Sequence, residues 1–367
     1  MSERKPRRKS SRKSRIVLRL IVILAVCAVV FYYKDVIITP IKNILLGQDT
    51  AGELSFSGYT GSAFNSFDGG FVSVSAKGIK VVSLQNQVTL EEEAEISSPA
   101  VKTNGGYGVA FDIGGKTAEV FTESAAVYEI NAEYPIIDAS VNDEGFSAVC
   151  TQADGYNGLV SVYDAEGKLV FQWFSGDAFV LTARIASDSK TIAVLAVAES
   201  GSRIMFFSVG SEEEKGRFEA AGDVLLDMEF SGKKTVVAVS QKGVYTVGSD
   251  GVCKKQYLFG DDYLRNYAIN DVGICYVILS KYQTGDECRA VAVKGDREVG
   301  TVDSISAVSD ITCEGSKFAV LLGGKIEVYS KYGKLKDTFE NISGVNEILM
   351  QNGKILAVKG YSALVLG

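Results

Sequence analysis

The chain has 367 residues, 46% of them hydrophobic and 23% charged, with a formal net charge of −7 and no histidine. Without histidine, Ser-His-Asp and Cys-His nucleophile activation, His-ligated zinc or haem, and the commonest neutral-pH general base are excluded. Residues 1–34 carry ten Lys/Arg and one acid, whereas the remainder carries 28 basic and 44 acidic residues; that acidic bulk lacks the basic footprint that nucleic acid binding needs.

Residues 1–15, MSERKPRRKSSRKSR, are basic, Ser-rich and almost devoid of apolar side chains, and are expected to form a disordered cytoplasmic tail. Residues 16–38 read as a single transmembrane signal-anchor helix. Its apolar run Ile16–Tyr33 would span about 27 Å at about 1.5 Å per residue, close to a bilayer core of about 30 Å. Arg19 lies near the cytoplasmic end, where it can snorkel, and Phe31, Tyr32 and Tyr33 suit the far interface. The preceding positive cluster holds the N-terminus inside, so everything after Lys34 is expected outside the cytoplasm. A cleaved signal peptide fits less well, because the run is long and lacks a small-x-small site. A lipoprotein at Cys27 also fits less well, because Val26 is bulky. Residues 39–52 form a stalk, with Pro40 ending the helix.

From residue 53 to 367 a short apolar strand recurs eight times, each copy introduced by a polar turn. The copies start at Phe71, Tyr107, Phe146, Thr191, Thr235, Ile274, Phe318 and Ile355, and the turns include NDEG, SDSK, NDVG and QNGK. The steps of 36, 39, 45, 44, 39, 44 and 37 residues match the length of a four-stranded propeller blade. First strands such as PIIDASV and VLLDMEF precede the copies, while third strands such as RIMFFSV and fourth strands such as KLKDTFE follow them. The expected architecture is an all-β, eight-bladed β-propeller of four-stranded antiparallel blades, with seven blades and an extra hairpin as the alternative. The eighth copy reaches Gly367 after three strands, so ELSFSGY (Glu53–Tyr59) is expected to close the last blade and remove an exposed edge.

Five cysteines lie beyond the anchor, widely spaced and without CxxC, which indicates neither a metal site nor a disulfide framework. The segment DAEGKLVFQW (Asp164–Trp173) resembles the blade corner of quinoprotein-like propellers, in which an Asp-x-x-Gly-Lys turn precedes a docking tryptophan; SKYGKL (Ser330–Leu335) is a weaker echo. The repeat as a whole resembles quinoprotein-like and WD40-like propellers. Anchor and acidic propeller together resemble an uncharacterised family of membrane-tethered propellers from Gram-positive, Clostridia-type bacteria. That resemblance implies topology and no activity. The repeated tryptophans and calcium-ligating pattern of the quinoprotein enzymes are missing, so no cofactor and no metal are expected.

Second-to-third-strand turns and blade-to-blade crossovers share one face of a propeller, and long loops there mark binding surfaces. Blades 3, 4 and 6 carry the longer connections QADGYNG, AESGSR and KYQTGDE, and the crossovers repeat Gly-Asp. Candidate partner-binding residues are Tyr156, Asn157, Asp177, Asp223, Asp261, Asp262, Tyr263 and Arg265, an acidic and aromatic patch suited to a basic peptide, a cation or a sugar. Each Asp equally suits its own turn, as Asp143 and Asp271 on the other face do. The functional expectation is a non-catalytic binding or scaffold module of the cell envelope, tethered by its single pass and engaging an envelope protein or wall component. An extracellular hydrolase using a carboxylate pair and an envelope ligand sensor are the alternatives.

Overall fold

The eight apolar copies become the second strands of eight four-stranded sheets in the computed structural model, which describes residues 50–55, 61–285, 287–306, 308–360 and 362–367. The expected tail, signal-anchor helix and most of the stalk lie outside the described residues; among the described residues no helix is long and apolar enough to cross a membrane. Each sheet is one blade, antiparallel throughout, with strands in chain order in blades 1 to 7. Second strands such as Thr235–Ser240 and Cys275–Ser280 are buried along nearly their whole length, which explains why they read as near-continuous apolar runs rather than alternating ones. Outer strands such as Cys253–Leu258 are mostly polar and solvated.

The buried apolar side chains fall into eight clusters, and each joins two consecutive blades. The last of these seams packs Phe71 and Val82 of blade 1 against Leu356, Val358, Ala363 and Val365 of blade 8. Eight blades with eight seams form a closed ring, so the seven-bladed alternative does not apply. The fourth strand of blade 8 does come from the other end of the chain: it is described over Thr50–Ser55, beginning three residues before the expected Glu53, and lies beside Ser362–Leu366, while residues 56–59 of the expected strand lie outside the described residues.

Turns on the face opposite the crossovers lock blade to blade. Asn142, the first residue of the NDEG turn, is fully buried. Its Oδ1 accepts from the Glu144 and Phe146 amides, and its Nδ2 donates to the Ala186 carbonyl and Ser189 Oγ of blade 4. Asn270 of the NDVG turn repeats this, closing on the Ile274 amide and donating 2.6 Å to the Gly315 carbonyl of blade 7. Asn352 Nδ2 donates to the Asp68 carbonyl, carrying the same stitch from blade 8 to blade 1. The Asn of each turn, not the Asp beside it, bears this load. Trp173 docks onto Phe207 of the next blade with ring centroids 5.1 Å apart, as the quinoprotein-like corner implied. The five described cysteines are unpaired, and burial pushes the thiols of Cys150 and Cys275 up, away from nucleophilic character.

Candidate functional site

One irregularity recurs in the first, channel-lining strands of blades 3 to 7: a bulge between Ile136 and Asp138, Val180 and Thr182, Leu225 and Asp227, Leu264 and Asn266, and Val308 and Asp310. A bulge inserts one unpaired residue and re-aims its neighbours. In blades 4, 5 and 6 it leaves the residues on either side of a covered apolar one projecting toward the crossover end. These pairs are Phe179 and Leu181, Val224 and Leu226, and Tyr263 and Arg265, all exposed. Blade 3 adds Tyr156 against Phe174, with centroids 4.8 Å apart, and Leu258 and Tyr282 complete the arc. Phe179 is 64% exposed. On the other face the large exposed apolar residues, among them Val88, Val127, Leu169, Val252, Val272 and Tyr332, are scattered over six different blades.

The eight residues singled out from sequence all fall on the crossover face, but they divide by role. Tyr156 and Tyr263 belong to the exposed arc. Asn157 is part of the scaffold, donating from Nδ2 to the Gly176 carbonyl. Asp177 takes a 2.7 Å hydrogen bond from Arg203 Nη1, and that guanidinium holds its carboxyl below the usual range. Asp223 is buried, accepting from Ser240 Oγ, Tyr245 Oη and the Val224 amide. Burial first, and then this hydrogen bond to Asp223, push the Tyr245 phenol up to about 12. Asp262 is gripped by Arg289 at 3.0 and 3.2 Å, and Arg265 donates to the Gln283 carbonyl. Asp261 alone among the four acids is exposed with no hydrogen bond or ion pair among the described residues. The surface is therefore more apolar and less acidic than its sequence suggests, because three of its four acids brace the loops. The long connections of blades 3 and 4 are also not loops. Their strands run on to two-residue turns, Ser147–Ala153 into Tyr156–Tyr163 and Thr191–Ala198 into Gly201–Ser208, so only blade 6 has a true loop there.

Sequence reading missed the channel. Arg184 sits at its centre, on the first strand of blade 4, reaching Asp227 at 3.1 Å and Glu229 at 3.3 Å on blade 5 and Asp138 at 3.5 Å on blade 3. Lys102 of blade 2 closes on Asp138 at 2.6 Å, and Thr182 donates to the same carboxylate at 2.5 Å. Burial, and then the neighbouring Arg184 charge, lower the Lys102 pKa. The remaining arc of the channel is different. A cavity of about 550 Å³ opens between blades 5 to 8 and blade 1, lined in part by Glu229, Tyr267, Asp310 and Glu347. Asp310 accepts from the Ile311 and Ile348 amides, and burial raises its pKa. Burial and then the Asp310 charge push Glu347 up to about 7. A signal for this lining was present in the sequence: one polar residue, Asp138, Thr182, Asp227, Asn266 or Asp310, recurs two positions after an apolar one in successive first strands.

Residues 48–361 match a family of unknown function, DUF5711, and the chain belongs to that family. No curated protein sequence matches it. Among solved structures it is similar to the computationally designed Ika8 protein, with a TM-score of 0.63 and 16% identity over 85% of this chain and 98% of that one. It is also similar to the C-terminal WD40 domain of Sif2, with a TM-score of 0.62 and 12% identity over 87% and 98% of the two chains. BamB from Moraxella catarrhalis aligns with a TM-score of 0.53 and 14% identity over 86% and 96%. At such identities the likeness is one of fold, a propeller of the WD40-like and quinoprotein-like kind.

Proposed function

We propose that this member of the DUF5711 family is a non-catalytic docking module, tethered to the cell membrane by residues 16–38 with its propeller outside the cytoplasm, and that it holds an envelope protein or wall component on its crossover face. The observation that supports it is the asymmetry between the two ends of the ring. Exposed apolar side chains gather over blades 3 to 6 at the crossover end, and contiguous apolar surface on a soluble domain marks interaction sites. The braced acids beneath make that surface rigid, which lowers the entropic cost of binding.

A reporter fused after Gly367 is expected to be active only outside the cytoplasm; cytoplasmic activity contradicts the tether. In the same cells, replacing Phe179 and Tyr263 by Ser should abolish co-purification of the partner with the full-length chain, while the opposite-face pair Tyr332→Ser and Leu335→Ser should not. Loss with the second pair and not the first moves docking to the other face. A hydrolase reading has one observation in its favour: Glu347, its pKa raised to about 7, lies beside Asp310 in the channel. Turnover abolished by Glu347→Gln with partner binding intact would support that reading instead.

A further inference from the structure

Three kinds of occupant suit an exposed apolar arc: a second copy of the chain, a lipid surface, or an apolar segment of another polypeptide. The charge around the arc separates them. Exposed acids Glu133, Asp154, Glu199, Asp261 and Glu287 stand on the crossover face and make no salt bridge among the described residues. Of the cations there on blades 2 to 6, Lys116, Lys242 and Arg265 are turned onto the backbone carbonyls of Glu133, Gly222 and Gln283, Arg203 and Arg289 are engaged with acids, and Lys281 is exposed with no ion pair among the described residues. The chain beyond Lys34 carries 28 basic and 44 acidic residues. Two such surfaces repel each other, and so do one such surface and an anionic lipid leaflet. The strand Thr50–Ser55 is the outer strand of blade 8, across the ring from blades 4 and 5.

We infer that the crossover arc of blades 3 to 6 receives an apolar polypeptide segment bearing net positive charge. This rests on the docking reading above and adds the chemistry of the partner. Phe179, Leu181, Val224 and Leu226 form the apolar seat, with Tyr156 and Tyr263 as aromatic anchors at its two ends, the residue type enriched in interface hot spots. The free carboxylates around them steer a cationic partner and repel an acidic one.

The test uses the full-length chain in phosphatidylcholine nanodiscs and two labelled 18-residue amphipathic peptides, one of Leu and Lys and one of Leu and Glu, followed by fluorescence polarisation. The Leu-Lys peptide should bind at least tenfold more tightly than the Leu-Glu peptide, and its affinity should fall with salt. The Phe179→Ser, Leu181→Ser double variant should weaken it at least tenfold, whereas Tyr332→Ser, Leu335→Ser should leave it unchanged. Equal binding of the two peptides, each lost in the Phe179/Leu181 variant, overturns the charge inference and leaves docking standing. Binding of either peptide that ignores the Phe179/Leu181 variant overturns both. Reversible dimers in the nanodisc-free chain at matched concentration, or association with phosphatidylglycerol vesicles, each abolished by the Phe179/Leu181 variant, also overturn the inference by naming a different occupant.

Discussion

On the face away from the crossovers, Asn142, Asn270 and Asn352 reach to carbonyls of the neighbouring blade; on the crossover face, Phe179, Leu258 and Tyr282 stand more than half exposed. Both faces are built from turns of similar composition, rich in Gly, Asn and Asp. They differ in where the polar atoms point. On the first face the side-chain amides are consumed between blades, which fixes each blade against the next. On the second, Asp177, Asp223 and Asp262 are drawn down onto Arg203, Ser240 with Tyr245, and Arg289, so the apolar residues beside them are what solvent meets. The polar contacts between blades run through the channel and the far turns, and the proposed docking falls on the other surface.

That division can be broken most forcefully in the channel. Arg184→Met should destabilise the propeller by about 3–5 kcal/mol, because it strands the half-buried carboxylates of Asp227 and Glu229 without their cation and leaves Asp138 to Lys102 alone; urea unfolding measures it. A loss under 1 kcal/mol would mean the network is incidental to the fold. Asn142→Ala should cost about 1–3 kcal/mol, since it leaves the Ala186 carbonyl and the turn amides without their partner in a buried site.

Glu347 sharpens the contrast between the two arcs of the channel. Its folded pKa of about 7 lies above the ordinary 4.5, so the folded state holds the proton more tightly than the unfolded chain. Stability should then fall as pH rises from about 4.5 to about 7 and level off above. Asp310 and Glu229, whose pKa values burial also raises, tilt the profile the same way. Glu347→Gln should flatten the slope in thermal melts, matching the wild type below pH 4.5 and exceeding it at pH 8 by on the order of 1–3 kcal/mol. An unchanged slope would show that Glu347 is solvated. The smallest effect belongs to the arc: Phe179→Ser with Leu181→Ser should shift stability by no more than about 0.5 kcal/mol, because both side chains are exposed.

The ring was legible because its second strands are buried on both sides, and burial of that kind writes near-continuous apolar runs such as TVVAV and ICYVIL at a near-constant step. The borrowed outer strand starts three residues earlier than expected, since mostly polar outer strands such as Cys253–Leu258 leave no apolar pattern to count. The face of the candidate site followed from topology. Its character did not, because Asp177 and Asp223 each reach residues 17 to 26 positions away, contacts that composition of a turn does not encode. Bulges were invisible for a related reason: a one-residue slip between Val180 and Thr182 changes which side chains face out without changing the hydropathy of the strand. Yet the polar residue beyond each bulge was there to be read, at the spacing of the blades.

The claim on which the rest depends is that the crossover arc is where the partner sits in the cell. Photo-crosslinking tests it without a purified partner. The photoreactive amino acid benzoylphenylalanine, placed at Phe179 in one full-length chain and at Tyr332 in another, would be irradiated in intact cells and the products compared by size. A discrete adduct of higher mass from position 179, with none from position 332, is the expected result. Adducts only from position 332, or none from 179 while the chain is folded and surface-exposed, would contradict the account.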